Sequence, residues 1–178
     1  KPQEVSAPLT SRNQELKNPF IIPGIRNLQI ESQLNPNYSF DNFLEGDANR
    51  LARSAGLAVS NKPGGTSFNP LLIFGGVGLG KTHLAHAIGV EIKDKYPDKT
   101  VLYISAEKFT QQYIDSVKKN SRNDFIHFYQ VIDVLIIDDV QFLSGKSGTQ
   151  DVFFHIFNHL HQNGKQVILT SDKAPVDM

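Results

Sequence analysis

The chain has 178 residues, with 18 Lys and Arg against 18 Asp and Glu, 39% hydrophobic residues and 10% aromatics, which is enough to bury the core of one domain. A net charge of zero removes the bulk electrostatic signature of a nucleic-acid or membrane-surface binder, and the absence of cysteine excludes a disulfide scaffold, thiol chemistry and Cys-ligated zinc. No apolar run approaches the roughly 18–20 residues of a membrane span, and the N-terminus lacks a signal-peptide core, so a cytoplasmic protein is the expectation.

Residues 1–35 read as a linker, mostly disordered or extended. Pro2, Pro8, Pro19 and Pro23 interrupt any helix there and Pro36 closes the stretch, and Ser, Asn and Gln dominate between them. Residues 36–178 read as the folded part. Asp47 or Asn49 is a plausible cap for a helix that places Leu51, Ala55, Ala58 and Val59 on one buried face. Leu71–Phe74 is a short apolar run that ends in glycines, a buried strand. Thr82–Lys93 follows as a helix, then Val101–Ile104 as a strand. Two helices come next, Ala106–Lys118 and Asp124–Val131, and then the fully apolar strand Val134–Ile137. Thr149–Asn163 is a helix stopped by Gly164, and Val167–Leu169 is the last strand. Alternating helices and continuous apolar strands predict an α/β fold, a parallel sheet with helices on both faces.

Gly75-Gly76-Val77-Gly78-Leu79-Gly80-Lys81-Thr82 fits the phosphate-loop pattern between a strand and a helix. Gly76, Gly78 and Gly80 let the backbone curl so that several N–H groups face an anion, and the helix N-terminus adds its partial positive charge. Lys81 is then the point charge for the β- and γ-phosphates, and Thr82 the hydroxyl offered to Mg²⁺. Asp138 and Asp139 end an apolar strand at the edge where open α/β sheets bind ligands. Asp138 is expected to hold Mg²⁺ through a water and Asp139 to orient the attacking water. Two adjacent carboxylates repel, so a cation or a lysine is expected beside them. Thr170-Ser171-Asp172 is a polar cluster at the next strand end, with Asp172 placed to sense the γ-phosphate. These residues predict a P-loop site for ATP or ADP with Mg²⁺.

The runs Asn35–Phe43, Phe68–Leu71 leading to Gly75–His83, Ile137–Phe142 and Leu169–Asp172 together resemble the AAA+ ATPase domain of the bacterial chromosomal replication initiator family, DnaA, over residues 34–178. The resemblance implies an ATP-switched domain that assembles as a nucleotide-dependent filament on origin DNA and helps open the duplex. It places Phe40 and Asn42 where the family's N-terminal segment lines the adenine pocket. The helix Ala106–Lys118 and its successor match the initiator-specific insertion along the single-stranded DNA path, with Ile114 at an apolar DNA-contacting position. Lys146 remains in the loop that serves single strand, whereas an arginine of well-known members is Gly148 here.

The family continues past the position of Met178 with an arginine finger, a fifth strand, a helical lid and a helix-turn-helix DNA reader. The resemblance therefore implies a core truncated before the last strand and the lid, with weak intrinsic hydrolysis. Contact with the replicative helicase would belong to a further N-terminal domain. The alternative reading is an AAA+ helicase-loader-type adaptor that acts through protein contacts. A small P-loop kinase fits the N-terminal block less well.

Overall fold

The computed structural model describes residues 30–76 and 80–174. Four strands, β1 (Leu71–Phe74), β2 (Val101–Ser105), β3 (Val134–Asp138) and β4 (Gln166–Ser171), form one sheet in the order β1-β4-β3-β2. Every pairing is parallel. Helices α1 (Arg50–Asn61) and α2 (Lys81–Lys95) cover one face, and α3 (Ala106–Lys118), α4 (Arg122–Gln130) and α5 (Ser147–Gln162) cover the other.

The apolar strands explain this layering. Along β3, Val134 and Ile136 pack with Leu84, Ile88 and Ile92 of α2, while Leu135 and Ile137 pack with Phe109, Tyr129 and Ile156 of the opposite layer. A strand buried on both faces has no polar side to present to water, so helices must cover both. The aromatic residues concentrate in the α3–α5 layer, where Phe109 meets Phe125 at 5.3 Å and Tyr129 at 5.1 Å between ring centroids.

The expected elements are present, with three local differences. Leu51, expected on the buried face of α1, is 80% exposed, and Gly56 and Ser60 are buried instead. The Ser60 hydroxyl is satisfied by donating to the Gly56 carbonyl at 2.8 Å, so the buried face of α1 includes a polar residue that hydrophobic spacing overlooks. Asn49 precedes α1 without a side-chain capping bond. Its Oδ1 accepts from Gly46 N and its Nδ2 donates to the Leu44 carbonyl, closing the preceding turn instead. Val140–Leu143 forms a short 3-10 turn directly after Asp139, where the sequence shows no periodicity long enough to read.

Residues 30–35 lie along the outer edge of β2. Tyr103 N donates to the Ser32 carbonyl at 2.8 Å, Ile30 packs against the α3–α5 core and Leu34 against the α1–α2 core. This short length of backbone thus covers a sheet edge. At the opposite end of the sheet, polar clamps gather the strand starts. Gln166 is fully buried; it accepts from Gly64 N at 2.9 Å and donates to the Phe68 carbonyl at 2.8 Å. Asp133 accepts from Thr100 N at 2.8 Å and from Lys165 Nζ at 2.7 Å. Burial raises the Asp133 carboxyl pKa, but the Lys165 and Thr100 bonds outweigh it and hold the group below its ordinary value.

Strand order decides where the chemistry falls. β4 is last in sequence yet lies between β1 and β3, pairing Phe74 with Ser171 and Ile137 with Leu169. The C-terminal ends of β1, β3 and β4 therefore meet, and each carries one of the polar motifs. Among the described residues no helix is long and apolar enough to cross a membrane.

Candidate functional site

A cavity of about 580 Å³ opens at this sheet edge, lined by Lys81, Thr82, Asp139, Gln141, Phe142 and Asp172 among others. It is large enough for a nucleotide-sized ligand. Lys81 and Thr82 reach it as the first residues of α2, because Gly80 adopts the left-handed conformation at φ +75° immediately before the helix. A side chain at Gly80 would also press on Phe43, whose Cε2 lies 3.1 Å from the position of a Cβ. Glycine is therefore required there by conformation and by space. Gly78, expected among the phosphate-binding glycines, lies outside the described residues.

Lys81 Nζ donates to the carbonyls of Gly75 at 2.7 Å and Gly76 at 3.0 Å. The ammonium thus returns to the C-terminal end of β1. Gly75 N in turn donates to the Ser171 carbonyl at 3.2 Å, extending the β1–β4 ladder into the loop.

Asp138 is the centre of the site and is only 3% exposed. Thr82 Oγ1 donates to its Oδ2 at 2.9 Å. The Tyr103 hydroxyl donates to the same oxygen, and the Thr170 hydroxyl donates to Oδ1. Three hydroxyls therefore serve the buried carboxylate. Charge-assisted hydrogen bonds of this kind compensate the loss of water without adding a second charge. Burial, the bond to Asp138 and the carboxylate charge all push the Tyr103 phenol well above its ordinary value, so it remains a donor.

Asp139 separates itself from Asp138 by its backbone. It sits at φ +60°, in the left-handed region, and the chain turns into the 3-10 segment. Its N–H donates to Thr170 Oγ1 at 2.9 Å, and its Oδ1 accepts a long 3.4 Å bond from Gln141 Nε2. Gln141 also accepts from Asp172 N at 3.3 Å, so one side chain spans the ends of β3 and β4. Asp172 itself is exposed on the cavity wall. Of the β4 cluster, Thr170 bonds to Asp138 through its hydroxyl, and Asp172 meets Gln141 through its backbone N–H.

The N-terminal segment enters through histidines that the sequence leaves inconspicuous. His83 Nε2 lies 2.9 Å from both the Ser39 carbonyl and Asn42 Oδ1. The Ser39 carbonyl is an obligate acceptor, so this nitrogen carries the proton. Asn42 is thereby fixed against α2, while Phe40 is buried, with the Arg53 guanidinium 5.7 Å over its ring. His86 Nδ1 accepts from Asn35 N at 3.1 Å, and its ring stacks on Tyr103 at 3.8 Å between centroids. Burial lowers the His86 pKa, opposed by the Asp138 charge and reinforced by His83. Tyr103 and His86 carry one faint signal each: a phenol in an otherwise apolar strand, and a histidine on the buried face of a helix.

Neither Ile114 nor Lys146 is among the residues that line this cavity, although Lys146 rests on Phe142, which does. Ile114 is 40% exposed on α3, beside the 48% exposed Val117. Lys146 precedes α5, with Nζ 4.0 Å from the centre of the Phe142 ring and donating to the Phe142 carbonyl at 2.7 Å. Gly148 is the second residue of α5, and a Cβ there would meet only Tyr113 Cε1, at 3.9 Å.

The donor set suits magnesium. Thr82 can donate its proton to Asp138 while its lone pairs face the cavity, and the neighbouring groups are oxygens of the hard type that Mg²⁺ prefers. No group of three or more His, Cys, Asp or Glu able to hold a metal occurs among the described residues.

Comparison with known proteins decides the family. The model described as the bacterial DnaA ATPase domain matches residues 34–178. The chain belongs to the bacterial DnaA ATPase domain family. It is 87% identical over 176 residues to the chromosomal replication initiator protein DnaA of Flavobacterium psychrophilum, covering 99% of this chain and 37% of that protein. The chain thus spans about a third of the length of this DnaA relative. Among solved structures, domain III of DnaA from Thermotoga maritima is 48% identical, with a TM-score of 0.78 over 82% of this chain and 60% of that one. A replication initiator DnaA bound to AMPPCP and single-stranded DNA is 45% identical, with a TM-score of 0.77 over 82% of this chain and 44% of that one. The DnaC helicase loader, at 19% identity and a TM-score of 0.65 over 78% of each chain, shares the fold alone.

Proposed function

We infer that this domain is the ATP-binding, Mg²⁺-dependent switch of a replication initiator, acting within a longer protein that assembles on the chromosomal origin and promotes duplex opening. The observation that carries this reading is the bond from Thr82 of the phosphate loop to Asp138 at the end of β3. It joins the phosphate site to the metal site in one pre-organised unit. Lys81 would release the Gly75 and Gly76 carbonyls to meet the β- and γ-phosphates, and loop N–H groups would receive the remaining oxygens. Bound Mg²⁺ would neutralise charge on the phosphates. Asp139, on the cavity wall, would orient water, and Asp172 would report whether the γ-phosphate is present.

The family supports the initiator over a helicase-loader adaptor, since likeness to the loader extends only to the fold. The likeness to a DnaA bound to AMPPCP and single-stranded DNA supports an ATP-type ligand and a single-strand contact; on our reading Ile114 and Lys146 lie on that path. A filament of initiator subunits, the origin DNA contact and a helicase contact through another domain complete the proposal. The test is calorimetry of ATP binding in the full-length protein. Tight binding in wild type that is lost in Lys81→Ala is expected; unchanged binding in that variant would overturn the site assignment.

A further inference from the structure

Asp138 has about four acceptor positions on its two carboxylate oxygens. Thr82, Tyr103 and Thr170 occupy three of them, which leaves one for a water of a bound metal. Thr82 belongs to the phosphate loop and Thr170 to the adjacent strand end. Tyr103 comes from neither: it stands on β2, where its residue pairs with Ile136 of β3, two positions before Asp138. Its hydroxyl crosses to a carboxylate 35 positions later in the chain.

Besides its bond to Asp138, Tyr103 is held from two sides. Its backbone N–H is fixed by Ser32. Its ring lies on His86 at an interplanar angle of 30°, and His86 is fixed by Asn35 N. A phenol so constrained has little freedom to follow Asp138 if the carboxylate turns. The carboxylate must instead keep the orientation that the phenol dictates.

We propose that Tyr103 is a positioning residue for magnesium: by occupying one lone pair of Asp138 Oδ2, it fixes the carboxylate so that its remaining acceptor faces the metal water. The inference rests on the nucleotide-site reading above. It adds a residue outside the phosphate loop and the acidic strand end, and it connects residues 32–35 to the metal through Tyr103 and His86.

The test compares ATP affinity with Mg²⁺ and with EDTA, in full-length wild type, Tyr103→Phe, Asp138→Asn and the double variant. Tyr103→Phe keeps the ring that stacks on His86 and removes only the donor. Affinity in EDTA should stay within about twofold, while the gain from Mg²⁺ falls about tenfold, as for loss of one charge-assisted hydrogen bond. The Tyr103→Phe effect should disappear in the Asp138→Asn background. An unchanged or larger Mg²⁺ gain in Tyr103→Phe, or an equal loss of affinity in EDTA, would overturn the proposal. Wild-type binding that is strong but indifferent to Mg²⁺ would overturn it too, leaving the phosphate site intact. Wild type that binds no ATP would overturn the site reading itself. The ring-carbon resonances of labelled Tyr103 in wild type give a second measurement that needs no variant. They should shift when Mg²⁺ is added to the ATP complex, and resonances that ignore the metal would overturn the proposal.

Discussion

Thr82 and Asp138 are 56 positions apart in sequence and 2.9 Å apart in space. The bond sets the phosphate loop against the acidic strand end before any ligand arrives. In this arrangement the threonine proton points to the buried carboxylate, and its lone pairs are left for the metal. Thr82→Val preserves the shape and removes both functions. ATP affinity in Mg²⁺ should fall at least about tenfold, while affinity in EDTA changes little, as measured by calorimetry under both conditions.

His86 makes stability depend on pH. Its folded-state pKa lies below the ordinary 6.5, so the unfolded chain takes up this proton more readily than the folded one. The contribution is intact above the unfolded value and is lost as pH falls below it towards the folded value. Protonation would also set Nδ1–H against Asn35 N–H, which now donates to that nitrogen. Melting curves of wild type and His86→Gln between about pH 7.5 and 5.5 should separate the effect. Wild type loses stability on acidification, and the variant loses less, at about 2–4 °C in Tm per kcal/mol for a domain of this size.

Gln166 secures the end of the sheet away from the site. Replacing it with Met keeps the volume but strands Gly64 N and the Phe68 carbonyl, which the amide now satisfies. Both groups are partly exposed and can recover some solvation from water, so chemical denaturation should show a loss of about 1–3 kcal/mol in all. The site lies at the opposite ends of the strands, so ATP affinity of the folded protein should remain near wild type.

Gly148 has room for a larger side chain, with Tyr113 Cε1 at 3.9 Å as its nearest neighbour. An arginine there would add a cation near Lys146. Gly148→Arg should raise affinity for single-stranded DNA in the presence of ATP and steepen its salt dependence by about 0.7 in log–log slope for each added phosphate contact. Fluorescence anisotropy across a salt series reads both quantities. A slope equal to wild type would remove this loop from the single-strand path.

The proposed phosphate loop can be read in the sequence because its residues are contiguous: glycines, lysine and threonine stand within one short run. Asp138 and Asp139 were legible for a related reason, since an apolar strand that ends in carboxylates must deliver them to the sheet edge. Leu51 misled, because the spacing of apolar residues on α1 does not register that a serine bonded to the backbone can be buried in a leucine's place. The hydroxyls that serve Asp138 come from three separate elements, and a left-handed turn sets Asp139 apart from it; neither relation is local enough to read from the paired aspartates.

Residue pattern alone determined an α/β domain with a nucleotide phosphate loop, because strand burial and anion binding depend on neighbours in the chain. It could not determine strand order, since a parallel crossover is joined by a helix whose local pattern does not say which gap the next strand enters. Only the tertiary structure placed β4 between β1 and β3 and β2 beside β3. That order brings Thr82, Tyr103 and Thr170 onto one carboxylate, from 32 to 56 positions away in sequence. The same tertiary packing sets His86 and Asn35 behind the tyrosine, through contacts that no local periodicity encodes.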